Sequence, residues 1–183
     1  MAEPKSSAVD NPIINDAYEE PTRWWDFPAG QPTLTEGRRP AGYYRRLLRT
    51  RARTEGRALA VEEFTELKEV NRIRERVKTW RERGYPGVTR TTRELLHHWR
   101  RDERTQRLFF CQLEAAETII WLVEASPAER QGIDISKDES LRRYACKMAT
   151  GSGKTVVMAM LIAWSVLNKL QNRQDTRFSD AVL

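Results

Sequence analysis

Apolar residues recur every three or four positions along Val61, Phe64, Leu67, Val70, Ile73, Val77 and Trp80. Such a stripe predicts a helix over Val61–Arg83, ended by Gly84 and the turn Tyr85-Pro86-Gly87. A second helix is predicted from Thr91 or Thr92. Thr91 and Glu94 have capping-box spacing, and Leu95, Leu96 and Trp99 supply an apolar side that fades into polar Arg100–Arg107. A third is predicted over Cys111–Glu124, with Leu113, Ala116, Ile120 and Val123 on one face and Ser126-Pro127 as its stop. The pattern then changes. Leu141–Met148 reads as a strand, Thr155–Leu170 as a helix with almost no polar interruption, and Ala181-Val182-Leu183 as the opening of a second buried strand. Residues 1 to about 40 hold scattered prolines and no sustained period, which predicts an extended arm. Within it Ile13-Ile14, Trp24-Trp25 and Phe27 are too apolar for a fully solvated segment and are expected to dock on another surface. Gly37–Gly42 predicts a turn before Tyr43 and Tyr44, and no internal repeat is visible.

A chain of 183 residues suffices for one domain, or for a small domain plus part of another. One strand and one helix cannot bury a parallel-sheet core alone. The expectation is therefore an N-terminal fragment, inactive by itself, of a larger protein. Charge is unevenly spread. Residues 1–37 carry 2 basic and 7 acidic side chains, residues 38–107 carry 21 and 10, and residues 108–183 carry 9 of each. The middle segment, at net +11 and nearly all arginine, suits phosphate backbones. A solvated face of arginine-rich helices would have the same composition. Trp80 and Trp99 interleave with it, but they sit on apolar stripes where packing is the default role.

Cys111 and Cys146 have no His or Cys at metal-ligand spacing and read as small core residues in a reducing compartment. His97 and His98 read as helix-surface residues. No basic n-region followed by an apolar h-region is seen, and the longest apolar run, Val156–Trp164, is too short to cross a bilayer. A cytoplasmic location is expected.

The most specific chemistry lies in Met148-Ala149-Thr150-Gly151-Ser152-Gly153-Lys154-Thr155. Two glycines let the backbone curl so that successive N–H groups face one anion, and the next helix begins there with its positive dipole end. Thr150, Gly151, Ser152, Gly153, Lys154 and Thr155 are the expected phosphate contacts, with Lys154 at the β/γ-phosphates and the Thr155 hydroxyl on Mg²⁺. The strict motif has glycine where this chain has Met148. A bare turn capping a buried helix would not need Lys-Thr directly after the glycines.

Upstream lies Phe109-Phe110-Cys111-Gln112, followed by Glu114-Ala115-Ala116-Glu117. Together with Arg143-Tyr144-Ala145-Cys146-Lys147 and the glycine loop, it resembles the Res subunit of type III restriction enzymes and related DEAD/DEAH-box helicases of superfamily 2. The Met-Ala-Thr-Gly-Ser-Gly-Lys-Thr form is typical of that branch and accounts for Met148. Asn11–Asn15, Tyr18–Trp25 and Glu36–Pro40 also look like the start of large members of this class. The resemblance implies that Gln112 reads adenine, since an amide both donates and accepts. The bland alternative is a first-turn residue of an amphipathic helix. It further implies two RecA-like lobes, ATP-driven movement on DNA, ATP and Mg²⁺ as cofactors, and DNA and a modification methyltransferase subunit as partners. A downstream nuclease is often present in the family. No acidic box, arginine finger or nuclease carboxylate cluster is recognisable in these residues.

The expected organisation is an extended arm (1–42), a basic helical region (43–107) and the start of a RecA-like α/β domain (108–183). The expected activity is ATP hydrolysis by a helicase or translocase. A non-motor P-loop kinase would not need the arginine-rich prelude, and a pure DNA-binding module would keep the loop as a relic.

Overall fold

The computed structural model describes residues 9, 11–27, 31–49, 59–133 and 144–181. Two antiparallel hairpins precede four helices. β1 (Arg23–Asp26) pairs with β2 (Thr33–Glu36), and β3 (Gly42–Arg49) pairs with β4 (Leu59–Glu66). The helices are α1 (Lys68–Glu82), α2 (Arg90–Trp99), α3 (Phe110–Glu124) and α4 (Lys154–Gln171). The architecture is thus mixed helix and small antiparallel sheet.

The helix predicted over Val61–Arg83 divides into β4 and α1. Val61 and Phe64 fit either period, and the choice is made by the partner strand. Tyr44 stands opposite Phe64 with ring centroids 5.2 Å apart, and Arg45 stands opposite Glu63. Aromatic and opposite-charge pairs of this kind are the units of sheet stabilisation. The arm is also more structured than a plain extended segment. Asn15 Oδ1 accepts from the N–H groups of Thr22 and Arg23 at 3.0 and 3.1 Å, and its Nδ2 donates to Arg23 O at 2.7 Å. That single amide holds residues 11–16 against the first hairpin.

α3 forms the axis of the helical body, with α1 and α4 packed on it and α2 against α4. Its Ala116, Ile120 and Trp121 are completely buried, together with Val77 and Trp80 of α1. Trp80 and Trp99 are therefore core residues, as their apolar stripes predict. Trp80 Nε1 donates to Pro86 O at 2.9 Å, which fixes the turn after α1.

α2 starts one residue earlier than predicted, and its cap is Thr89 rather than Thr91. The Thr89 hydroxyl accepts from Thr92 N at 3.1 Å. The same hydroxyl donates to Asn168 Oδ1 of α4, so the cap also ties two helices. Thr89→Ala is expected to lower stability by about 1–2 kcal/mol. An unchanged urea midpoint would remove that role.

Three further expectations are corrected. Tyr144–Ala149 run without regular structure, and Leu141–Arg143 lie outside the described residues. A strand needs a neighbour to take its backbone hydrogen bonds, and among the described residues no parallel partner flanks this segment. Ala181 is likewise not in a strand, and Val182 and Leu183 lie outside the described residues. Cys111 and Cys146 are exposed rather than core. His97 and His98 are exposed on α2, as expected. Among the described residues no helix is long and apolar enough to cross a membrane.

Candidate functional site at the start of α4

The backbone of the glycine loop is left-handed at Gly151 (φ 80°) and at Gly153 (φ 81°), the N-cap of α4. Only glycine adopts that region without cost, so the two residues that permit the curl are also those the bend requires. Ser152 tightens it, with N and Oγ donating to Ala149 O at 3.3 and 2.7 Å. α4 then runs for 18 residues, long enough for its dipole to be fully developed. No acidic side chain stands in its first turn to neutralise that end. The first N–H groups of a helix have no intrahelical acceptor, so the loop presents donors to whatever anion arrives.

Lys154 and Thr155 are exposed at this end. The Lys154 ammonium turns back onto the loop, donating to Ala149 O at 3.0 Å and to Met148 O at 3.3 Å. It therefore sits above the curl formed by Thr150, Gly151, Ser152 and Gly153.

Gln112 meets the loop across forty residues of sequence. Its Nε2 donates to Ser152 O at 3.0 Å, while its Oε1 accepts from Phe109 N at 3.0 Å. The side chain is 5% exposed and packs so closely on the loop that a Cβ at Gly153 would lie 2.2 Å from Nε2. The resemblance implies that Gln112 reads adenine. In the structure it braces the α3 N-terminus against the glycine loop. Both ends of its amide are engaged, yet each retains a second hydrogen-bonding position.

The arm docks beside this junction through residues that sequence reasoning did not single out for it. Phe110 N donates to Ala17 O at 2.9 Å, the rings of Tyr18 and Phe109 lie 5.5 Å apart, and the Arg107 guanidinium lies 4.5 Å from the Tyr18 centroid. Arg38 forms a two-pronged pair with Glu114 at 2.6 and 2.5 Å. Burial opposes the Arg38 charge, but the hydrogen bonds and field of Glu114, with Glu20 behind it, hold its pKa above the ordinary value. Partners 76 residues apart leave no local signal, so this contact was not legible in the chain.

These features define a class: a mixed α/β chain in which the longest helix among the described residues opens on a left-handed glycine loop, braced by an upstream helix. Residues 105–178 match the family model of the type III restriction enzyme, res subunit, which begins just before α3 and ends after α4. The match agrees with the resemblance read from the motifs of that segment. No curated protein and no solved structure matches the chain.

Proposed function

We propose that the chain forms part of an ATP-dependent DNA helicase or translocase, the restriction subunit of a type III-like system, with Mg-ATP held at the start of α4. The observation that carries this reading is the left-handed Gly151–Gly153 curl with Lys154 poised above it. The residues fit a triphosphate. Added side-chain atoms at Gly151 would meet nothing within 4 Å, so the loop has open space on that side, and the exposed Lys154 can exchange carbonyl contacts for phosphate oxygens. The amides of Gly151–Thr155 and the Lys154 ammonium would stabilise charge on the phosphoryl group. Bound Mg²⁺, held in part by the Thr155 hydroxyl, would supply further charge neutralisation. DNA and a modification methyltransferase subunit are the proposed partners, and the cytoplasm is the proposed location.

Gln112 has two roles in this reading. It keeps Ser152 in place, and its remaining N–H and lone pair serve adenine N7 and N6. Gln112→Ala is therefore expected to weaken ATP binding and to bring the affinities for ATP and GTP together within a few-fold. Competition of both nucleotides against a fluorescent ATP analogue measures this. A weaker site with its preference intact would leave Gln112 as a brace only.

A further inference from the structure

The N-terminal arm and α1 line an open cleft that the glycine loop does not use. Its volume is about 540 Å³, and its lining includes Trp24, Trp25, Phe27, Arg23, Arg39 and Arg74. Among the described residues no aspartate or glutamate lines it. A volume of this size lies within the range of small-ligand sites.

The three arginines differ from the others around them. Arg38, which also reaches the cavity, spends its charge on Glu114 and Glu20. Among the described residues Arg23, Arg39 and Arg74 have no carboxylate partner. Arg23 reaches only Ile14 O at 3.2 Å, and Arg74 makes long 3.5 Å contacts to Arg39 O and Asn71 Oδ1. The Arg39 guanidinium lies 5.4 Å from the Trp24 ring centroid and 5.8 Å from that of Tyr44. Burial, and then the neighbouring Arg38, lower the Arg74 pKa against a smaller opposing pull from the Glu114 charge. The aromatic wall is held in place as well: Trp25 Nε1 donates to Asn11 O at 3.2 Å, and Asn15 clamps the strand that carries both tryptophans.

Arg23 and Arg39 are exposed cations, and Arg39 lies against ring faces. Such a lining suits an anion with a flat, stackable part. A nucleotide has both. Arginine forks take phosphate oxygens, aromatic faces take a base, and this pairing is the general design of single-strand grooves. We propose that the cavity is a second nucleotide site, separate from the glycine loop, which holds one unpaired nucleotide of single-stranded nucleic acid. The choice of nucleic acid rests on the proposed DNA motor function, whereas the cavity and its charge do not. The base lies against the Trp24–Phe27 wall, and the phosphate lies between Arg39 and Arg74.

The test is fluorescence anisotropy of the full chain with a short labelled oligothymidylate at low salt, without ATP. Arg39 is exposed, so Arg39→Gln removes only its surface contacts with the Trp24 and Tyr44 rings, and circular dichroism checks the fold of each variant. Arg39→Gln and Trp24→Ala are each expected to weaken binding about tenfold. Arg101→Gln, an exposed charge outside the cavity, is expected to change it little. An oligonucleotide with abasic positions should bind more weakly and lose its response to Trp24→Ala. Parent-like binding by both cavity variants, or an equal loss in Arg101→Gln, overturns the proposal. Displacement by thymidine monophosphate as effective as by the oligonucleotide overturns the assignment to a strand. Lys154→Ala separates the two sites: it should weaken Mg-ATP binding by on the order of 10²-fold and leave oligothymidylate affinity unchanged. If ATP never binds but the cavity variants still lose affinity, the motor reading fails and the cavity stands.

Discussion

Lys154→Ala is expected to weaken Mg-ATP binding by on the order of 10²-fold, equivalent to about 3 kcal/mol. The reasoning is electrostatic. Neutral amides of the loop satisfy individual phosphate oxygens, but a triphosphate entering a partly dehydrated site also needs a full counter-charge. Lys154 is the one residue at the curl that carries it, and its ammonium is already held over the loop by Ala149 O and Met148 O. Removing it leaves those carbonyls facing solvent at little structural cost, because the side chain is exposed. The fold should therefore survive, and thermal unfolding without nucleotide should match that of the parent. Titration with a fluorescent ATP analogue in Mg²⁺ measures the effect. Undiminished affinity would place the nucleotide elsewhere and end the assignment of this loop.

Glu117→Ala is expected to give the largest loss of stability, about 3–5 kcal/mol. Glu117 is 1% exposed in the middle of α3. Its Oε1 accepts from Arg100 Nε at 2.7 Å and from the Tyr85 hydroxyl at 2.9 Å, and its Oε2 accepts from Arg81 Nε at 2.9 Å. One carboxylate thus joins α1, the turn after it, and the end of α2 to α3. Burial, and then the Glu117 charge, push the Tyr85 phenol well above its ordinary range, so it remains a donor throughout the physiological range. Truncation would strand two guanidinium groups and a hydroxyl in low dielectric, and that desolvation dominates the cost. For a chain of this size the melting temperature should fall by roughly 10 °C. A shift of only a degree or two would show that water enters and relieves the arginines.

Legibility followed the range of the interactions concerned. α3 was expected over Cys111–Glu124 and spans Phe110–Glu124; α4 was expected over Thr155–Leu170 and spans Lys154–Gln171. Both are set by apolar period and by stop signals within a few residues. The bend at Gly151 and Gly153 is equally local, since left-handed backbone selects glycine at those positions. The strand expected at Leu141–Met148 fails because an extended backbone needs neighbours, and apolar content alone does not provide them. The Val61–Arg83 helix fails in its first part for the complementary reason: Gly42–Arg49 was available as a partner, and pairing overrode a spacing compatible with both structures.

The chemistry proposed for the loop likewise rests on adjacent residues: two glycines, a lysine and a threonine at a helix start. What Gln112 does was decided by tertiary structure. Its residue type allows a base contact, but the meeting of the α3 N-terminus with Ser152 turned its amide toward the loop. The same holds for the arginine-and-tryptophan cavity and for the Arg38–Glu114 pair, whose members lie far apart in the chain. Local backbone preference and periodicity act over a few residues and can be read in order. Long-range charge pairing and burial depend on which surfaces meet, and only the folded chain brings those surfaces together.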